Sequence, residues 1–299
     1  MGSAVRKWLA LAGLVLALHL FASGFLLRRP VLPHIATADQ QQQPRQLKRY
    51  DRLVWVLIDA LRHDFAVMQP PSASAADHYF ANKLPVLNET LARHPDHTML
   101  LRFEADAPTT TLQRIKGFTT GSLPTFIDIG SSFSSSAIEE DNLILQLGRQ
   151  GTRKTVFLGD DTWMSCFPDA FDTAHPFPSF NVWDLHTVDN GIMDHIDRYV
   201  VDDGTDGTAA ADVVIAHFLG VDHCGHRYGS DHPAMAEKLT QMNNVLAHLI
   251  ERLPQRTLLV VAGDHGMTTS GDHGGDSALE TGAALFLYAT GYSSWFIVF

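Results

Sequence analysis

The run Asp222-His223-Cys224-Gly225-His226 sets a carboxylate and an imidazole four residues apart. Two more clusters follow, the adjacent pair Asp264-His265 and the segment Asp272-His273-Gly274-Gly275-Asp276. Asp59, at the end of an apolar run, adds a further carboxylate. Carboxylate oxygen with imidazole nitrogen is a donor set for Zn2+, and it also suits Mn2+. The donors exceed what one tetrahedral ion takes, so two divalent metal ions are the natural count. Paired ions stabilise the attacking and the leaving oxygen of phosphoryl transfer. That chemistry needs a nucleophile. Asp106-Ala107-Pro108-Thr109-Thr110-Thr111 offers three hydroxyls just before an expected helix start, where free N–H groups and the positive dipole end favour a phosphate. A metal-bound threonine there could attack phosphorus. It could equally do no more than cap the helix. The residues by themselves leave Thr109, Thr110 and Thr111 all open.

Elements to position these side chains are legible. Leu53–Ile58 is a buried-strand pattern ending at Asp59, Thr155–Leu158 ends at Gly159-Asp160-Asp161, Val213–Phe218 ends before Asp222, and Thr257–Val261 ends before Asp264. Ala283–Tyr288 reads as a further strand. Continuous apolar runs of this length suit a sheet covered on both faces. Helical spacing is clearest from Pro233 to Leu253, with proline in the first turn. Strand–helix alternation predicts an α/β fold with a mostly parallel central sheet, and ligands gather at the carboxyl ends of such strands. One aspartate at a strand end is ordinarily a turn residue; three at one edge read as a site. Asp222 to His226 is expected on a glycine-containing loop.

Other residues carry weaker signals. Arg62, Arg114 and Lys116 lie near the expected site loops and could meet phosphate, or simply pair at the surface. Asp160 and Asp161 end a strand at the same edge. His217 and His223 flank a ligand motif and read as structural or supporting residues rather than ligands. Trp163 and Trp183 are expected in the core. Cys166 and Cys224 are the two cysteines and build no disulfide framework.

The whole chain has 299 residues and a formal net charge of −11, which excludes the basic footprint of a nucleic-acid binder. Trp8 to Leu27 is a nearly unbroken apolar run of 20 residues. At 1.5 Å per residue it matches a bilayer core of about 30 Å. Its length and the Arg-Arg-Pro that follows favour an uncleaved signal anchor over a cleaved signal peptide. The expected organisation is an anchor over residues 1–29, a polar stalk over 30–50 that includes Gln40-Gln41-Gln42-Gln43-Pro44, a catalytic domain over 51–290, and an atypical tail over 291–299. Asn88-Glu89-Thr90 is a glycosylation sequon.

At these residues the sequence resembles the alkaline phosphatase superfamily, in the order Asp, Thr, Asp-x3-His, Asp-His, His. Within it the chain is similar to the GPI ethanolamine phosphate transferases, with the third-mannose type the best fit. The stretches that carry the likeness are IDALRHDF, ADAPTTTLQR, GSLPTFIDIGSSF, FLGDDTW, PSFNVWDLHTVDNGI, AHFLGVDHCGHRYGSDHP and VVAGDHGMTTSGDHGGDS. The resemblance implies an alkaline-phosphatase-like sheet flanked by helices on both faces. It implies one metal held by Asp59, Thr111, Asp264 and His265, and a second held by Asp222, His226 and His273, with Thr111 as nucleophile. It implies a phosphatidylethanolamine donor, a GPI-precursor mannose as acceptor, the lumenal face of the endoplasmic reticulum membrane, and a small membrane-protein subunit. Asp160 and Asp161 would then meet the acceptor or the ethanolamine ammonium. That family carries a long multi-spanning region after this domain, so the chain reads as a truncated form or fragment. The rival readings are a metal-dependent phosphodiesterase or phosphatase, and an inactive truncated form with a partner or regulatory role.

Overall fold

The structure is a computed structural model that describes residues 2–25, 34–36, 50–70, 77–123, 137–149, 153–201 and 210–291. Most of the expected stalk, all of the tail beyond Gly291, and most of the GSLPTFIDIGSSF stretch lie outside the described residues.

Seven strands form one sheet: β1 (Arg52–Ile58), β2 (Thr98–Glu104), β3 (Thr155–Asp160), β4 (Thr173–Phe177), β5 (Val213–Phe218), β6 (Thr257–Ala262) and β7 (Gly282–Ala289). Their order is β2-β7-β6-β1-β5-β3-β4. The apolar runs become the central strands because both of their faces are buried. Val54, Val56, Val214, Ala216, Leu259 and Val261 face one core, whereas Trp55, Leu57, Phe157, Ile215 and Ala262 face the other. β6, β1, β5, β3 and β4 pair in parallel. β7 runs antiparallel to both β6 and β2.

Seven helices of two turns or more are described: α1 (Ser3–Phe25), α2 (Pro85–Arg93), α3 (Thr111–Thr120), α4 (Leu143–Arg149), α5 (Thr187–Val200), α6 (Gly220–Tyr228) and α7 (Pro233–Arg252). Helices cover both faces. Ile192 and Ile196 of α5 and Leu239, Met242 and Leu246 of α7 close the first core, while Ile115 of α3 and Ile144 of α4 close the second. α7 starts where the sequence places it, with Pro233 in its first turn and the His232 ring accepting the Ala234 N–H at 3.1 Å. α1 contains Ala4–Gly24, which is long and apolar enough to cross a membrane.

Register brings the site together. Ile58 pairs with Phe218 and Leu57 with Ala262, so the chain leaves β1, β5 and β6 at one edge. Gly159 pairs with His217 and has φ +123, and a Cβ there would sit 2.2 Å from the His217 carbonyl oxygen. Only glycine lets β3 lie this close to β5.

Two expectations change. Asp222 to His226 is helical, within α6, not a loop. The i and i+4 positions of a helix share a face, so the spacing points both side chains the same way without any loop. Trp163 is fully buried, but Trp183 is 68% exposed and lies against Arg227, whose guanidinium is 5.2 Å from its ring centroid. The two cysteines build no disulfide, as expected: Cys166 and Cys224 are free and belong to the two different cores, on opposite faces of the sheet.

Candidate metal and phosphoryl-transfer site

Two trios of ligand side chains face each other at the carboxyl edge. Asp59, Asp264 and His265 follow β1 and β6, and Asp222, His226 and His273 come from α6 and the loop after β6; within each trio the donor atoms lie within 4.8 Å of one another. In the first, His265 Nε2 is 3.4 Å from Asp59 Oδ1 and 3.3 Å from Asp264 Oδ2. In the second, His273 Nε2 is 3.3 Å from Asp222 Oδ1 and 3.0 Å from His226 Nε2. The His265 and His273 rings stack between the trios, with centroids 4.1 Å apart.

The protein aims these donors inward. His265 Nδ1 lies 2.8 Å from the Gly266 carbonyl and His273 Nδ1 lies 2.8 Å from the Thr109 carbonyl. A carbonyl only accepts, so each Nδ1 carries a proton and donates, and each Nε2 is turned toward the centre. Asp264 spends Oδ1 on the Ala60 N–H at 3.0 Å. Asp59 Oδ1, Asp222 Oδ1 and Asp264 Oδ2 are buried with no hydrogen-bond partner. Three orphaned carboxylate oxygens converging with three imidazoles is a costly arrangement unless a cation occupies the centre. The residues present therefore fit divalent metal ions.

Electrostatics agree. Burial and the neighbouring Asp264 and Asp222 carboxylates push the Asp59 carboxyl well above the usual carboxylate range. Burial lowers His265. Burial also pulls His273 down, but Asp222 outweighs it and raises the imidazole to about 10. Burial opposes ionisation of Asp222 as well, yet the histidines hold that carboxyl at about 2.

The three threonines separate clearly. Thr109 is buried; its hydroxyl donates to the Gly275 carbonyl at 2.8 Å and accepts from the Gly274 N–H at 2.9 Å. Thr110 is the N-cap residue of α3 but makes no side-chain cap bond. Thr111 opens α3, with its hydroxyl 3.2 Å from Asp59 Oδ2 and 3.5 Å from His265 Nε2. A cavity of about 330 Å³ opens onto Asp59, Thr110, Thr111, Asp222, His226 and His273.

The model of the family "Type I phosphodiesterase / nucleotide pyrophosphatase" matches residues 134–283. The chain belongs to this family. Among curated relatives, the catalytic subunit of GPI ethanolamine phosphate transferase 3 from Homo sapiens is 53% identical over 287 residues, covering 90% of this chain and 26% of that protein. The chain thus spans about a quarter of that relative's length. Among solved structures, the lipoteichoic acid synthase LtaP from Listeria monocytogenes aligns with TM-score 0.55 at 12% identity, over 84% of this chain and 69% of the other. The C-terminal periplasmic domain of EcEptC from Escherichia coli, in complex with Zn, aligns with TM-score 0.50 at 12% identity, over 81% and 73%. These likenesses establish an alkaline-phosphatase-like fold for this family member.

The remaining sequence candidates fall in different places. Asp160 is buried and lines the cavity. Asp161 sits beside it and accepts the Ser179 hydroxyl at 2.7 Å. Arg62 and Arg114 are buried behind the site, not on the cavity wall. Arg62 pairs with Asp64 and reaches the Ser230 hydroxyl at 3.2 Å. Arg114 donates to the Asp264 carbonyl at 3.2 Å and the Asp106 carbonyl at 3.2 Å. Lys116 faces Glu140 at 3.7 Å. Asn88 lies in α2, where its amide donates to the Ala66 carbonyl at 2.7 Å.

The cavity lining also includes Ser179, Phe180 and Val182, from the PSFNVWDLHTVDNGI stretch, where the phenylalanine was expected in the core. Phe180 is 89% exposed. An exposed aromatic in a loop carries no periodic signal that would distinguish it from a core residue.

Proposed function

We propose that the chain is the catalytic part of a phosphoethanolamine transferase acting on the GPI-anchor precursor. It uses two divalent ions, zinc by the donor chemistry, and Thr111 as nucleophile. The observation that carries this reading is the Thr111 hydroxyl standing beside the Asp59–Asp264–His265 trio and facing the Asp222–His226–His273 trio across one cavity. The 53% identity to the transferase 3 subunit supports the substrates: phosphatidylethanolamine as donor and a mannose, the third, as acceptor. It also supports a setting on the lumenal side of the endoplasmic reticulum membrane, with α1 as anchor and a small membrane subunit as partner.

Bound ions would favour the ionised Thr111 hydroxyl and neutralise charge on the attacking and leaving oxygens. Thr111 Oγ1 attacks phosphorus, forming the Oγ1–P bond and releasing diacylglycerol, which takes up the proton. The mannose hydroxyl then attacks the same phosphorus, breaks the Oγ1–P bond and returns a proton to Thr111. The positive dipole end at the start of α3 would favour the phosphate oxygens. Asp160, buried at the cavity wall, offers a negative charge to the ethanolamine ammonium, with Asp161 beside it. Asn88 would be modified during synthesis, before α2 engages its amide.

A hydrolase is the second reading. It is favoured by the family description and by the exposure of His226 at the cavity mouth, which admits water as acceptor. Headgroup-labelled phosphatidylethanolamine and a trimannosyl glycolipid, supplied to the purified chain in detergent, separate the two. Label moving to the glycolipid is expected. Label released only as free phosphoethanolamine would favour the hydrolase.

A further inference from the structure

We infer that His217 is a positioning residue that pins one oxygen of Asp59 and so leaves the other aimed at the ion site, an inference that rests on the two-metal reading above. His217 lies in β5 one residue before the strand ends and is fully buried. The Trp163 indole N–H donates to His217 Nδ1 at 3.0 Å. Indole is a donor only, so Nδ1 must be the bare nitrogen and Nε2 must carry the ring proton. His217 Nε2 lies 3.4 Å from Asp59 Oδ2 without the alignment of a hydrogen bond, and it has no other hydrogen-bond partner. An unpaired buried N–H is costly, and Asp59 Oδ2 is the acceptor within reach that would relieve it.

Asp59 Oδ2 is thus approached from two sides, by His217 and by the Thr111 hydroxyl at 3.2 Å. Oδ1 faces His265 and is bare. A carboxylate free to rotate would present either oxygen, whereas donors on one oxygen select the other for a cation. Asp160 Oδ2, 3.5 Å from His217 Nδ1, is the competing acceptor. Serving it would need a proton on Nδ1, which would then confront the Trp163 N–H donor to donor. Trp163 cannot yield easily, since it stacks on Phe157 with centroids 5.2 Å apart and meets Trp55 edge-on at 5.9 Å. The chain of cause runs from an aromatic core, through a fixed tautomer, to the orientation of a metal ligand.

The test compares zinc dissociation from the full chain in detergent for His217→Leu, His217→Gln and the unsubstituted protein, by competition with a chelator of known affinity. Glutamine can present an N–H near the place of Nε2; leucine cannot. Leucine is expected to weaken one of the two zinc ions by about 10–100-fold, the usual scale for losing a supporting partner, and glutamine to recover most of that loss. No loss with leucine, or equal loss with both, overturns the inference. Should the variants fail to fold, the 15N imidazole spectrum of the histidine-labelled unsubstituted chain decides instead. A neutral His217 protonated on Nε2 is expected, and a proton on Nδ1 overturns it. An unsubstituted chain that takes up no zinc would sink the two-metal reading, while the spectrum would still decide the His217–Asp59 contact.

Discussion

The two ligand trios are built from the same residue types but by different means. Asp59, Asp264 and His265 are all buried, at 1%, 0% and 0% exposure, and they follow adjacent parallel strands whose register is fixed over six residue pairs. Asp222, His226 and His273 grade from buried to exposed. They depend on α6 meeting a loop, not on strand pairing. The sheet therefore dictates the inner trio, and a helix–loop contact dictates the outer one. Thr111 stands against the inner trio, so the proposed nucleophile belongs to the rigid half, and the proposed substrates would enter past the more exposed half.

Thr111→Ala gives the sharpest break between the halves. It should reduce transfer on the order of 10³-fold or more, the scale for loss of a catalytic nucleophile, yet leave the outer trio's zinc in place. Steady-state transfer and zinc content, measured on one preparation, check this. Thr109→Ala should keep the nucleophile and lower stability, because it removes a buried hydroxyl that ties the loop before α3 to Gly274 and Gly275.

Asp264→Ala against His226→Ala compares the halves directly. Removing one buried charge that faces others costs about 3–5 kcal/mol, or roughly 10²–10^3.5-fold in zinc affinity at 1.4 kcal/mol per tenfold. His226 is the exposed member of its trio, and water can replace it, so its loss should cost on the order of tenfold. Calorimetric titration with zinc reads both. Equal losses would remove the distinction. Chelation of the unsubstituted protein comes next in size. Ions at 100 to 1,000 times their dissociation constants stabilise by about 2.7–4.1 kcal/mol, which corresponds to a fall in Tm of about 5–15 °C on their removal.

The inner half was the more legible in the sequence, for the same physical reason. Leu53–Ile58 followed by Asp59, and Thr257–Val261 followed by Gly263-Asp264-His265, announce strand ends with ligands attached, and the parallel sheet does the rest. The outer half was legible as residue types but not as geometry. Asp222 and His226 sit four apart, which a loop or a helix can equally satisfy, and Gly225 disguised a helix as a loop. Trp183 was unreadable as an exposed residue, since its guanidinium neighbour Arg227 belongs to a distant element. The role of Trp163 was hidden likewise. Its core position is legible in the sequence, but only the packing of β3, β5 and the short helix between β3 and β4 brings its indole nitrogen to His217 Nδ1.

Gly271→Ala probes the contact that holds the outer half together, with the smallest expected effect. Gly271 has φ +87, and a Cβ there would lie 1.9 Å from the Gly225 carbonyl oxygen and 2.2 Å from its carbon. Both obstacles are backbone, so neither can swing aside as a side chain would. The loop carrying His273 must retreat from α6, which carries Asp222 and His226. Overpacking of this kind costs about 1–3 kcal/mol. Most of it should appear as a roughly 5–100-fold weaker outer zinc, by the same conversion of energy to affinity, since the inner trio shares no residue with this contact. Zinc titration should show one site weakened and one retained. If both sites weaken together, the two trios are coupled through the stacked His265 and His273 rings, and the rigid half is less independent of the helix–loop half than strand pairing alone implies.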